Sequence, residues 1–70
     1  MLMQAVTSSV IDAVGYDEDR SWLLVKFSSG RLYRYRGVPE PEFDALLQAI
    51  SVGRYYNRHI RDAFPYEELS

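Results

Sequence analysis

The chain has no cysteine. That absence removes a disulfide framework, a thiolate nucleophile and every Cys-based zinc site. There is one histidine, His59, with neither cysteine nor paired carboxylates at ligand spacing around it, so no metal site and no cofactor is expected. Lysine is nearly missing as well. Lys26 is the sole example, so seven of the eight basic residues are arginine, the side chain that forks phosphate and stacks on bases. No apolar run approaches the ~20 residues of a membrane span, and no membrane partner is expected. The start, Met1-Leu2-Met3-Gln4, has neither a basic region nor a long apolar stretch. A secretory signal is therefore not expected, and a cytoplasmic protein is. With 70 residues the chain makes one domain, residues 1–70, without room for a cleft between two lobes.

What is present is a core. Hydrophobic residues make up 47% and aromatic residues 14%, more than a disordered chain carries. A core of this size supplies about 3–5 kcal/mol. The net charge of −2 conceals a segregation along the chain. Asp17-Glu18-Asp19 is an acidic turn, and from Arg20 to Arg36 there is no acid at all. Glu40, Glu42 and Asp44 follow, and then Arg54, Arg58 and Arg61. The acidic triplet lacks the spacing of a calcium loop and reads as a solvated turn.

Ser9 to Tyr16 reads as a first strand and Trp22 to Phe27 as a second, with Leu23, Val25 and Phe27 on one face. Ser28-Ser29-Gly30 closes a hairpin into Arg31-Leu32-Tyr33-Arg34-Tyr35-Arg36. A three-residue loop with Gly30 left-handed sets Val25 opposite Tyr33 and Leu23 opposite Tyr35, gathering the large side chains on one face. Gly37-Val38-Pro39-Glu40-Pro41 stops the strand, and Pro41 suits the first position of a helix. Phe43, Leu46, Leu47 and Ile50 recur at helical spacing. Ser51 is a good N-cap for a second helix, in which Val52, Tyr56, His59 and Ile60 share an apolar side and Arg54, Arg58 and Arg61 align at i, i+4 and i+7. Pro65 ends that helix. The expected fold is α+β: a three-stranded antiparallel β-meander followed by two short helices packed on one sheet face.

Along Arg31–Arg36 one strand face is aromatic and the other basic. This suits single-stranded RNA, with Arg34, Arg36, Arg54, Arg58 and Arg61 on phosphates and either Trp22 or Tyr33 and Tyr35 as stacking platforms. The hairpin register favours burial of Tyr33 and Tyr35 against Phe43 and Leu47 instead, which leaves the face of Trp22, Leu24, Leu32, Arg34 and Arg36 as the nucleic-acid surface. The same Trp22 face also suits a protein partner or a homodimer, as an apolar patch. Ser51, Gly53 and Arg54 bring backbone amides, a hydroxyl and a guanidinium to one helix start, the makings of an anion site. Their structural roles would be capping and close packing. His59, Asp12 and Ser8 or Ser9 could be assembled into a triad, yet no nucleophile elbow accompanies them. No catalytic residue is assigned, and an enzyme is not expected.

The chain resembles a known family through Val14-Gly15-Tyr16-Asp17, Leu23-x-Val25-x-Phe27-x-x-Gly30 and Tyr33-x-Tyr35-x-x-Val38-Pro39. Ser51-Val52-Gly53-Arg54-Tyr55-Tyr56-Asn57, Ile60-Arg61 and Pro65-Tyr66 continue the likeness. It is similar to the KTSC domain, which takes its name from the C-terminal extension of some lysyl-tRNA synthetases and also stands alone in small bacterial and phage proteins. The resemblance spans about residues 7–66. It implies a small domain without defined catalytic residues, for which attachment to a synthetase suggests RNA binding. Phe64 stands where the family pattern leads one to expect Tyr, and Tyr56 where Phe is commoner. Nothing of a synthetase catalytic body is present.

Overall fold

The computed structural model describes residues 2–70, arranged as five strands and two helices. Strand β1 is Met3–Ala5, β2 Ile11–Asp17, β3 Trp22–Phe27 and β4 Leu32–Tyr35. Helix α1 runs Glu40–Gln48, and α2, Val52–Tyr55, continues into a π-helical turn over Tyr56–Ile60. Strand β5, Tyr66–Glu68, then returns to the sheet. All neighbours are antiparallel, in the order β1-β2-β3-β4-β5.

The sheet therefore has two strands more than the three-stranded meander read from the sequence. Both additions are three-residue edge strands with every residue exposed, too short to leave an alternating pattern. The central hairpin agrees with its expected register. Leu23 faces Tyr35 and Val25 faces Tyr33, while Phe27 N–H donates to the Arg31 carbonyl at 2.9 Å. Gly30 sits at φ +98°, the left-handed region the three-residue loop requires.

Side-chain alternation sends Val14, Leu23, Val25 and Tyr35 to the face that the helices cover, where they are buried with Ile11. From the other side Phe43 and Leu46 of α1 and Val52, Tyr56 and Ile60 of the second helix complete the core. Tyr16 stacks on Phe43 at 5.3 Å, and its hydroxyl donates to the Val38 carbonyl at 2.6 Å. That bond pins the segment between β4 and α1.

Two helical details depart from the pattern. Helix α1 starts at Glu40, so Pro41 is its second residue, and it stops at Gln48. Ile50 consequently lies fully exposed rather than on the apolar stripe. Ser51 must adopt extended backbone (φ −125°, ψ 107°) for its Oγ to accept from Arg54 N–H at 3.2 Å, and the first helix has to end before it. His59 belongs to no apolar side. It is exposed and stacks on Tyr55 at 4.3 Å.

Candidate functional site

Between the β3–β4 hairpin, strand β5 and the π-helical turn lies an open groove of about 640 Å³. Its floor and walls are aromatic. Tyr35 and Tyr56, both nearly inaccessible, meet edge to face at 5.9 Å, and their hydroxyls share a hydrogen bond. Burial, and for Tyr35 its hydrogen bond with Tyr56 as well, pushes both phenols above the ordinary tyrosine value. Phe27 packs edge to face on Tyr33 at 5.2 Å and on Tyr56 at 5.4 Å. Strand β5 adds Tyr66, whose ring lies parallel to Tyr33 (5.2 Å, 3°) and which is 54% exposed. The polar rim consists of Ser28, Ser29 and Arg31 from the hairpin and Asn57, Arg61 and Asp62 from the helix side.

The arginines divide into separate groups. Arg34 and Arg36 lie on the far face of the sheet from Tyr33 and Tyr35 and share one carboxylate, Glu67, at 2.9 and 3.6 Å. Strand β5 sets Glu67 directly opposite Arg34, whose hydrogen bond holds that carboxyl below its ordinary range. Trp22 on the same face is also occupied, with the Arg34 guanidinium 4.2 Å and that of Arg20 5.2 Å from its ring centre. Arg20 is paired with Asp17 at 3.3 Å. Among the described residues Arg31, Arg54, Arg58 and Arg61 make no ion pair. Arg31 stands near Tyr33 and Glu68, both of which favour its charged form.

Of the residues singled out from sequence, the structure brings Tyr33, Tyr35 and Arg61 to the groove and leaves Arg34, Arg36 and Trp22 behind it. Arg54 opens instead onto a smaller hollow beside Ser8, Ser51 and Gly53, which Asn57 separates from the groove. In that hollow Ser51 Oγ is spent on its cap. Gly53 permits close approach: a Cβ there would meet Val10 Cγ2 at 3.1 Å and Ser8 Oγ at 3.4 Å. Tyr35 is core, as the register required, but its aromatic partners are Tyr33, Tyr56 and Tyr66, while Phe43 stacks on Tyr16.

Tyr66, Arg31, Asn57 and Asp62 were missed as site residues. The signal for Tyr66 was its place after Pro65, where a helix cannot continue and a strand can begin. No 3.6-residue pattern announces the π turn over Tyr56–Ile60 that precedes Arg61 and Asp62.

The KTSC domain pattern matches residues 7–64. The chain belongs to the KTSC domain family. A KTSC domain protein of Yersinia pestis has the same fold, with a TM-score of 0.96 at 33% identity over 99% of this chain and 97% of that one. An uncharacterised protein of Stutzerimonas stutzeri is 48% identical over 54 residues, which is 77% of this chain and 76% of its own length. A lysine–tRNA ligase of Nostoc punctiforme is 36% identical over 62 residues, 89% of this chain but 11% of the ligase, so that match covers a small part of a much larger protein.

Proposed function

We propose that this KTSC domain is an RNA-binding module whose binding site is the tyrosine groove. One observation carries the reading. Half-exposed Tyr66, stacked on Tyr33, shares a single groove with the guanidiniums of Arg31 and Arg61, neither of which has an ion-pair partner among the described residues. A tyrosine ring presents a face to a base, and stacking of this kind contributes about 1–3 kcal/mol per base. One guanidinium on the hairpin wall and one on the helix wall of the groove suit the phosphates that flank a stacked nucleotide. Arg54 and Arg58 carry further charge without an ion pair among the described residues on the same helix, outside the groove. The groove is short and open, which fits a single-stranded segment and not a duplex. The occurrence of a similar domain inside a lysine–tRNA ligase agrees with a role near RNA.

Fluorescence anisotropy of a labelled short single-stranded RNA tests this. With two to four phosphates engaged, the log–log slope of affinity against salt should be about −1.5 to −3. Tyr66→Ala should weaken binding roughly tenfold, and Arg61→Glu should both weaken it and flatten the slope. Absence of binding at low salt, or affinity indifferent to salt, would end the proposal.

A further inference from the structure

The π-helical turn decides which side chains reach the groove. In an α-helix residues five apart point about 140° away from each other. A π turn bonds residue i to i+5 and so sets them one above the other, and here Arg61 N–H donates to the Tyr56 carbonyl at 3.0 Å. Tyr56 and Arg61 accordingly line the groove together, and Asn57 and Asp62 line it as well, while Arg58, His59 and Ile60 between them do not.

Asp62 is out of place in a site for a polyanion. It is exposed and, among the described residues, has no ion pair and no side-chain hydrogen bond, although Arg61 is its neighbour in sequence. An unpaired carboxylate repels phosphate, so its presence is favourable only where the ligand offers it hydrogen-bond donors. Of the four bases, guanine alone presents two adjacent donors, N1–H and the N2 amino group, along its Watson–Crick edge. They match the two oxygens of a carboxylate. Adenine and cytosine offer one amino group beside a ring acceptor that would repel the second oxygen, and uracil offers one N–H between two carbonyls. The guanine O6 next to N1–H needs a donor, and the Asn57 amide carries one on the same side of the turn.

We infer that the groove selects guanine, with Asp62 accepting from N1–H and N2–H and Asn57 donating to O6 while the base lies on Tyr66. This deepens the RNA-binding reading and rests on it.

The test uses fluorescein-labelled oligouridine carrying a single guanosine, inosine, adenosine or uridine at its centre, titrated with the 70-residue chain. Guanosine should bind on the order of tenfold tighter than uridine or adenosine. Inosine, which keeps N1–H and O6 but lacks the N2 amino group, should fall between them. Asp62→Asn should erase the guanosine preference while leaving oligouridine binding equal or slightly stronger, because a repulsive charge is gone. A purely structural role for Asp62 would weaken every oligomer alike. Equal affinity for all four oligomers, still sensitive to Arg61→Glu, would overturn the guanine assignment and leave RNA binding intact. No binding of any oligomer would overturn both.

Discussion

The hydroxyls of Tyr35 and Tyr56 satisfy each other where almost no solvent reaches. Removing one strands the other, which costs about 1–3 kcal/mol, whereas removing both replaces a polar pair by two apolar rings of nearly the same shape. Tyr35→Phe and Tyr56→Phe should therefore each lower the unfolding free energy by roughly 1–2 kcal/mol. The double variant should lose less than the two single losses added together, and urea denaturation of all four proteins measures the coupling. A strictly additive double variant would mean that each hydroxyl finds water by itself.

Among the elements, the hairpin was the most legible, because face burial and loop length both dictated one register for Tyr33 and Tyr35. The Ser51 cap was legible for the same kind of reason: a local rule with a single solution. Strands β1 and β5 were not, since three exposed residues such as Tyr66-Glu67-Glu68 carry no periodicity, and their pairing is set by what lies beside them in space. The regular spacing of the arginine stripe is broken by the π turn, whose extra residue turns Arg61 toward the groove. Gly53 tests how tightly this helix approaches the chain before β2. Alanine there gains about 1 kcal/mol of helix propensity but presses on Val10. Gly53→Ala should be stabilising in a Val10→Ala background and neutral to destabilising in the native one, as thermal melts will report. Stabilisation of equal size in both backgrounds would remove the close-packing role.

At the scale of the whole molecule the tyrosines govern alkaline behaviour. Tyr35 and Tyr56 keep their protons above the ordinary value of 10.0 chiefly through burial, and Tyr55, whose hydroxyl donates to Glu42, is pushed up to about 12. In the unfolded chain these phenols ionise near 10. The unfolded state then binds fewer protons than the folded one, so stability is complete below pH 10 and declines as pH rises beyond it. Urea midpoints should be level from pH 7 to about 9 and fall from about pH 10 upward, with a gentler fall between 10 and 12 in Tyr55→Phe. A midpoint that stays level through pH 11 would contradict the assignment.

The groove joins two parts of very different permanence. Every buried core side chain lies at or before Ile60, whereas β5 contributes none and is held by pairing along one edge, by Tyr66 on Tyr33 and by Glu67 on Arg34 and Arg36, with the bond from Leu69 N–H to the Leu32 carbonyl at 2.7 Å just beyond it. Fraying of that margin detaches Tyr66 and leaves the interior intact. A ligand that occupied the groove as proposed would therefore favour closure of the last strand. On the RNA-binding proposal, a bound nucleotide should slow amide hydrogen exchange in β5 before it alters anything in the remainder of the sheet, which exchange measured with and without RNA would show.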